Sequence, residues 1–177
     1  MHTIMKTLAI FFLLLIFQNC DTKEFPLEVK KIYSSNKEKP FSEFENWNIY
    51  LRGGKNDVYV FDYMLNDKIE ARYLVTDGEP VMFKRIFPFQ DSVFFSLNKD
   101  SLHRYSGKSI ISKKLYLDFK SLGIDAIFYR PKEKLFLLKK DKVTLVRTVE
   151  PQNRLSDSLR VVNYKKIDPH WFYFRDE

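Results

Sequence analysis

From Trp47 to the C-terminus, apolar and aromatic residues recur with a period near two, interrupted every ~8–12 residues by turn chemistry. Val58 to Leu65 is rich in β-branched and aromatic side chains. Asn66-Asp67 supplies a tight two-residue turn, and Ile69, Ala71, Tyr73 and Val75 alternate on the way back. Arg52-Gly53-Gly54-Lys55-Asn56-Asp57 and Thr76-Asp77-Gly78-Glu79-Pro80 read as turns on either side of that hairpin. Further strands are predicted over 81–87, 92–97, 101–105, 125–129, 134–138, 142–149 and 159–164, and 170–174 closes the series with dense aromatics. The pattern predicts an all-β fold, mainly an antiparallel meander, built as a sandwich or a curled sheet.

Two stretches depart from simple alternation. Over 112–122, Leu115, Phe119 and Leu122 fall on one helical face with Gly123 placed as a C-terminal cap, while Leu115, Leu117 and Phe119 also alternate as a strand would. The strand-plus-turn pattern is preferred, with one short helix as the alternative. Ser42-Glu43-Phe44-Glu45 has capping-box spacing and predicts a single helical turn leading into Trp47. A weak echo at an offset of about 41 residues aligns Ile86-Phe87 with Ile127-Phe128, Phe95 with Phe136 and Lys99-Asp100 with Lys140-Asp141. That spacing resembles a β-propeller blade, so a small propeller-like repeat of hairpins is the alternative fold. Convergence of ordinary hairpins is preferred, because too few such units fit in the chain to close a ring.

The N-terminus carries the other strong signal. Lys6 precedes an almost unbroken apolar run from Thr7 to Phe17, too short for a helix to cross a ~30 Å hydrocarbon core. Gln18-Asn19 follows, and then Cys20, the only cysteine of the chain. A run of this length ending just before a lone cysteine resembles a bacterial lipoprotein signal. With Phe17 and Asn19 in the box, it is similar to the looser signals of Bacteroidota lipoproteins. The resemblance implies cleavage before Cys20, acylation of Cys20, export and attachment to a membrane, the outer membrane with the domain on its periplasmic or surface face. Residues 1–19 are then the signal peptide, 20–40 the acylated cysteine and a polar tether, and 41–177 a single β-rich domain. Phe25, Leu27, Val29 and Ile32 within the tether offer a first edge strand.

Composition narrows the function without naming it. With Cys20 at the anchor, the mature chain has no disulfide, and 14 of the 17 Phe and all 10 Tyr fall in it to supply its core instead. The full chain has 30 Lys and Arg against 23 Asp and Glu, a net charge of +7. The cations are scattered doublets such as Lys30-Lys31 and Lys139-Lys140, which suit a solvated surface or weak attraction to anionic lipid or polysaccharide. No recognition module suggests nucleic acid. His103 and His170 stand apart from other ligands, so no metal or cofactor is expected, and no Gly-x-Ser-x-Gly or phosphate loop is present. Asp62 and Asp118 are the best-placed acids, each expected on the solvent face of a strand. No catalytic residue is assigned. Tyr59, Phe61 and Tyr63 could form an exposed binding face, although burial on both sides of that strand is the preferred explanation. A membrane-anchored binding or structural module with a protein or glycan partner is expected. An envelope immunity or inhibitor protein and a glycan-acting hydrolase are the alternatives.

Overall fold

The computed structural model describes residues 25–53, 57–77, 81–87, 94–96, 111–155 and 163–175. In chain order these form α1 (Leu27–Asn36), a 3-10 turn (Ser42–Phe44), β1 (Trp47–Leu51), β2 (Val58–Leu65), β3 (Lys68–Thr76), β4 (Met82–Phe87) and β5 (Phe94–Ser96). After them come α2 (Lys113–Ser121), β6 (Ala126–Arg130), β7 (Leu135–Lys140), β8 (Val143–Thr148), β9 (Lys165–Lys166) and β10 (Trp171–Arg175). All ten strands lie in one open antiparallel sheet, ordered β5-β4-β3-β2-β1-β6-β7-β8-β10-β9. The expected antiparallel β fold is therefore present, as one sheet and not as propeller blades. The predicted strand over 101–105, most of 159–164, His103 and Cys20 lie outside the described residues.

The order has a repeat of its own. One meander runs outward from β1 and a second runs outward from β6, and the two meet where Ile49 pairs with Ile127. Each meander is preceded by a helix, and each helix covers the other meander. On α1, Val29 and Ile32 join the core, and the helix packs against β8. Tyr33 meets Trp171 of β10 edge to face with ring centroids 5.7 Å apart. On α2, Phe119 and Tyr116 pack on Tyr59 and Phe61 of β2, and Tyr116 also meets Phe83 of β4.

Within the segment expected as a tether or edge strand, Leu27–Asn36 is thus a helix. Its inward positions are Val29, Ile32 and Asn36, an i, i+3, i+7 stripe, while Leu27 is 81% exposed. The preferred strand over 112–122 is also a helix. Ser112 caps it by accepting a hydrogen bond from the Leu115 amide at 3.0 Å, and Gly123 follows it at φ +64, a conformation that glycine adopts without strain. Leu117, needed inside by the alternating pattern, is 51% exposed. The turn at Ser42–Phe44 forms as expected, though without a side-chain cap.

One face of the sheet carries the main core: Trp47 and Ile49; Tyr59, Phe61 and Tyr63; Ala71, Tyr73 and Val75; Phe83; Ile127; Phe136 and Leu138; Val143 and Leu145; Trp171 and Tyr173. Tyr59, Phe61 and Tyr63 are buried here, which removes them from any exposed binding face. The β2–β3 hairpin turns on Asn66 (φ 52) and Asp67 (φ 62) as the sequence predicts, with Leu65 opposite Lys68. A bulge between Tyr63 and Met64 then shifts the register by one. Without it, Ala71, Tyr73 and Val75 would face away from Phe61, because side chains alternate strictly along a strand.

Two polar contacts fasten the helices. Asn36, fully buried, donates from Nδ2 to the carbonyls of Ile32 (2.9 Å) and Leu122 (3.0 Å), which joins the C-terminal ends of α1 and α2. At the far end of the sheet, Asp77 accepts from Tyr116 Oη (2.6 Å) and Lys120 Nζ (2.7 Å). Lys120 and then Tyr116 hold the Asp77 carboxyl below its ordinary value. Burial opposes the Lys120 charge, but the hydrogen bonds to Asp77 and Tyr59 outweigh it and raise its pKa.

Asn36→Ala leaves the Leu122 carbonyl buried without its donor, and urea unfolding should show a loss of about 1–2 kcal/mol with an unchanged m value. Because the folded-state pKa of Asp77 is depressed, its contribution is present above the ordinary carboxylate range and is lost as pH falls through the folded value. Asp77→Asn should therefore lower the melting temperature near about pH 7, and the gap from wild type should close toward about pH 3.

Candidate functional site

The sheet face away from α1 and α2 is polar in places and apolar in others. Alternation puts Asn48, Met64, Arg130, Leu137, Lys139 and Phe174 on it. At its C-terminal end a second small core forms from Leu135, Val146, Phe172 and Leu155, with Leu137, Tyr164 and Phe174 packed against it. Nearer the middle, Tyr50 stacks on Phe128 with centroids 6.2 Å apart. The sheet curls enough for Met64 on β2 and Phe174 on β10, which are separated by four strands, to line one open groove of about 1000 Å³.

The walls of the groove are turns. The β2–β3 turn (Asn66, Asp67) stands on one side and the β6–β7 turn (Pro131, Lys132, Glu133) on the other. Lys132 Nζ lies 2.8 Å from Asp67 Oδ2 and ties the two together, although both are exposed and such a pair contributes little to stability. Asn46, at φ 67, accepts the Met64 amide on its backbone carbonyl at 2.7 Å, which fixes the base of the first wall. The Asn48 side chain accepts the Tyr129 amide on Oδ1 at 3.1 Å, so its amide orientation is set and Nδ2 remains as an unspent donor. The side chains of Arg130 and Lys139 line the groove and make neither a hydrogen bond nor an ion pair among the described residues.

The acids singled out in the sequence have partners. Asp62 is 4% exposed, so it does not occupy a solvent face. Arg72, directly opposite on β3, grips it with Nε to Oδ1 at 2.5 Å and Nη2 to Oδ2 at 2.7 Å. Asp118 is on α2, where Lys114 lies 2.8 Å away and also reaches Glu43. Neither acid belongs to the groove, and they do not come together. His170 directs Nδ1 to the Thr148 carbonyl at 3.1 Å, a contact that helps seat β10 beside β8. Among the described residues, no group of three His, Cys, Asp or Glu side chains gathers that could hold a metal ion. No helix among them is long and apolar enough to cross a membrane.

A second cavity, about 510 Å³, lies between α1 and the β7–β8 turn. Two of its cations are spent, Lys140 on Asp125 and Arg175 on Glu28. The groove offers more unspent donors, and sequence reasoning did not find it. Its signal was present in the second phase of the strands, where Met64, Phe128, Leu137 and Phe174 are apolar on the side opposite the main core.

Arg72→Ala strands the Asp62 carboxylate in the sheet. Denaturant unfolding should show a loss of about 3 kcal/mol, the low end for a broken buried pair because the Arg72 side chain is 33% exposed. No protein-family model matches this chain, and no curated protein or solved structure matches it.

Proposed function

We propose that this chain is a cell-envelope lipoprotein, held to the outer membrane through an acyl group on Cys20, whose β-domain binds a ligand in the groove on its second face. The anchor rests on the N-terminal signal: a short apolar run, a polar switch at Gln18 and a lone cysteine. The described fold begins at Phe25, close behind Cys20, so an acyl anchor would hold the domain near the bilayer with little spacer between.

The observation that carries the binding reading is the imbalance of unspent groups in the groove. Arg130, Lys139 and Asn48 Nδ2 stand over an apolar floor of Leu137, Met64 and Phe174. Asp67 in its wall is engaged by Lys132. Donors fixed on the sheet, without an acceptor partner among the described residues, favour capture of an electron-rich ligand. Glycoside hydrolysis instead calls for two carboxyl groups facing one bond; Asp62 and Asp118 are spent elsewhere, and of the two acids that line the groove, Asp67 and Glu133, Asp67 is engaged by Lys132.

The anchor is tested by growing cells that express the full chain with a labelled fatty acid, beside Cys20→Ser. Label should appear in the wild type, fractionate with membranes and disappear in the variant. Equal labelling of the two, or wild-type protein free in the soluble fraction, would defeat the reading.

A further inference from the structure

The groove has a charge pattern that points to a ligand class. Arg130 pairs with Leu135 across the β6–β7 ladder, and Lys139 is four residues farther along β7 on the same face. At ~3.4 Å per residue their backbone positions stand roughly 14 Å apart along the strand direction. The level between them holds Leu137, Phe128 and Asn48, and Phe174 is level with Lys139 two strands away. A short chain of sugars with acids on spaced rings can place one carboxylate at each cation.

We propose that the ligand is an acidic polysaccharide whose carboxylates meet Arg130 and Lys139. This rests on the groove being a binding site. The backbone of the floor is already committed to the β-ladder, so an extended peptide finds no strand edge there to pair with. What the floor offers is side-chain chemistry that suits sugars. The amides of Asn46, Asn48 and Asn66 can pair with hydroxyls, and the ring of Phe174 and the flat stem of Leu137 can lie against the C–H face of a pyranose. Lys132 and Asp67 neutralise each other at the wall and Glu133 adds one further negative charge there, so the lining keeps a net charge of +1, three cations against two acids, with Arg130 and Lys139 carrying the excess.

The test is calorimetric titration of the full chain in detergent with oligogalacturonate, with a neutral cello-oligosaccharide of equal length and with oligoglutamate. Oligogalacturonate should bind and the other two should bind far more weakly. Arg130→Gln and Lys139→Gln should each weaken it about tenfold, as for loss of one charge-assisted hydrogen bond. Lys142→Gln, which lies outside the groove, should leave binding unchanged. Three results overturn the proposal: equal binding of the neutral sugar, tighter binding of oligoglutamate, or equal weakening by Lys142→Gln. If the neutral sugar binds and Leu137→Trp abolishes that binding, the acidic ligand is wrong while the groove stands. If no probe binds and Leu137→Trp changes nothing, the groove reading falls as well.

Discussion

The pairing of β1 with β6 is the constraint on which the rest of this sheet depends. It is a short antiparallel seam of Asn48 with Phe128, Ile49 with Ile127 and Tyr50 with Ala126, extended by the Leu51 amide on the Asp125 carbonyl at 2.9 Å. Ile49 and Ile127 at its centre are completely buried, so the seam is held by packing as much as by the ladder. The other strands lie outward from it on either side, β2 to β5 on one and β7, β8, β10 and β9 on the other. The exchange of helices closes the arrangement from one side. With α1 covering the second meander and α2 the first, buried Asn36 joins the C-terminal ends of the two helices.

The two faces were given different tasks by a one-residue irregularity. The bulge at Tyr63/Met64 aligns the aromatic phase of β2 with that of β3 on the core side and, in the same step, brings Arg72 opposite Asp62 on the other. A buried ion pair of this kind adds little net stability over an apolar pair, but it penalises any slipped register in which the carboxylate loses its partner. Arg147 is a counterpart on the core side. Its guanidinium lies 4.8 Å from the centre of the Phe41 ring, and burial lowers its pKa below the usual arginine value.

Much of the sheet was legible because β-strands announce themselves by alternation and by their turns. The span of β2 matches its predicted limits, and Asn66-Asp67 forms the turn its residue types imply. The bulge was not read from the sequence, although a two-residue turn by itself puts Tyr59, Phe61 and Tyr63 out of phase with Ala71, Tyr73 and Val75. Of the two helices, α1 was not read and α2 stood as the alternative to a strand, each for a specific reason. On α1 the third member of the inward stripe is Asn36, a polar residue whose hydrogen bonds are visible only when Leu122 arrives from elsewhere in the chain. On α2, Leu117 imitates a strand pattern, and the cap at Ser112 with Gly123 outweighs it. The groove could not be read in order along the chain, because Met64, Leu137 and Phe174 meet only through the curl of the sheet. Cys20 remains a matter for the sequence, since it lies ahead of the described fold.

Where α1 begins has a mechanical consequence. Phe25 meets Tyr173 edge to face at 5.8 Å, and Tyr33 holds Asp168 through a 2.7 Å hydrogen bond, so the entering chain is clamped to β10 at both ends of the helix. Tyr173 and Phe174 are neighbours on that strand, one facing α1 and the other lining the groove. A pull on the chain ahead of Phe25 therefore reaches β10, and with it the floor of the groove, as well as β8 beneath the helix.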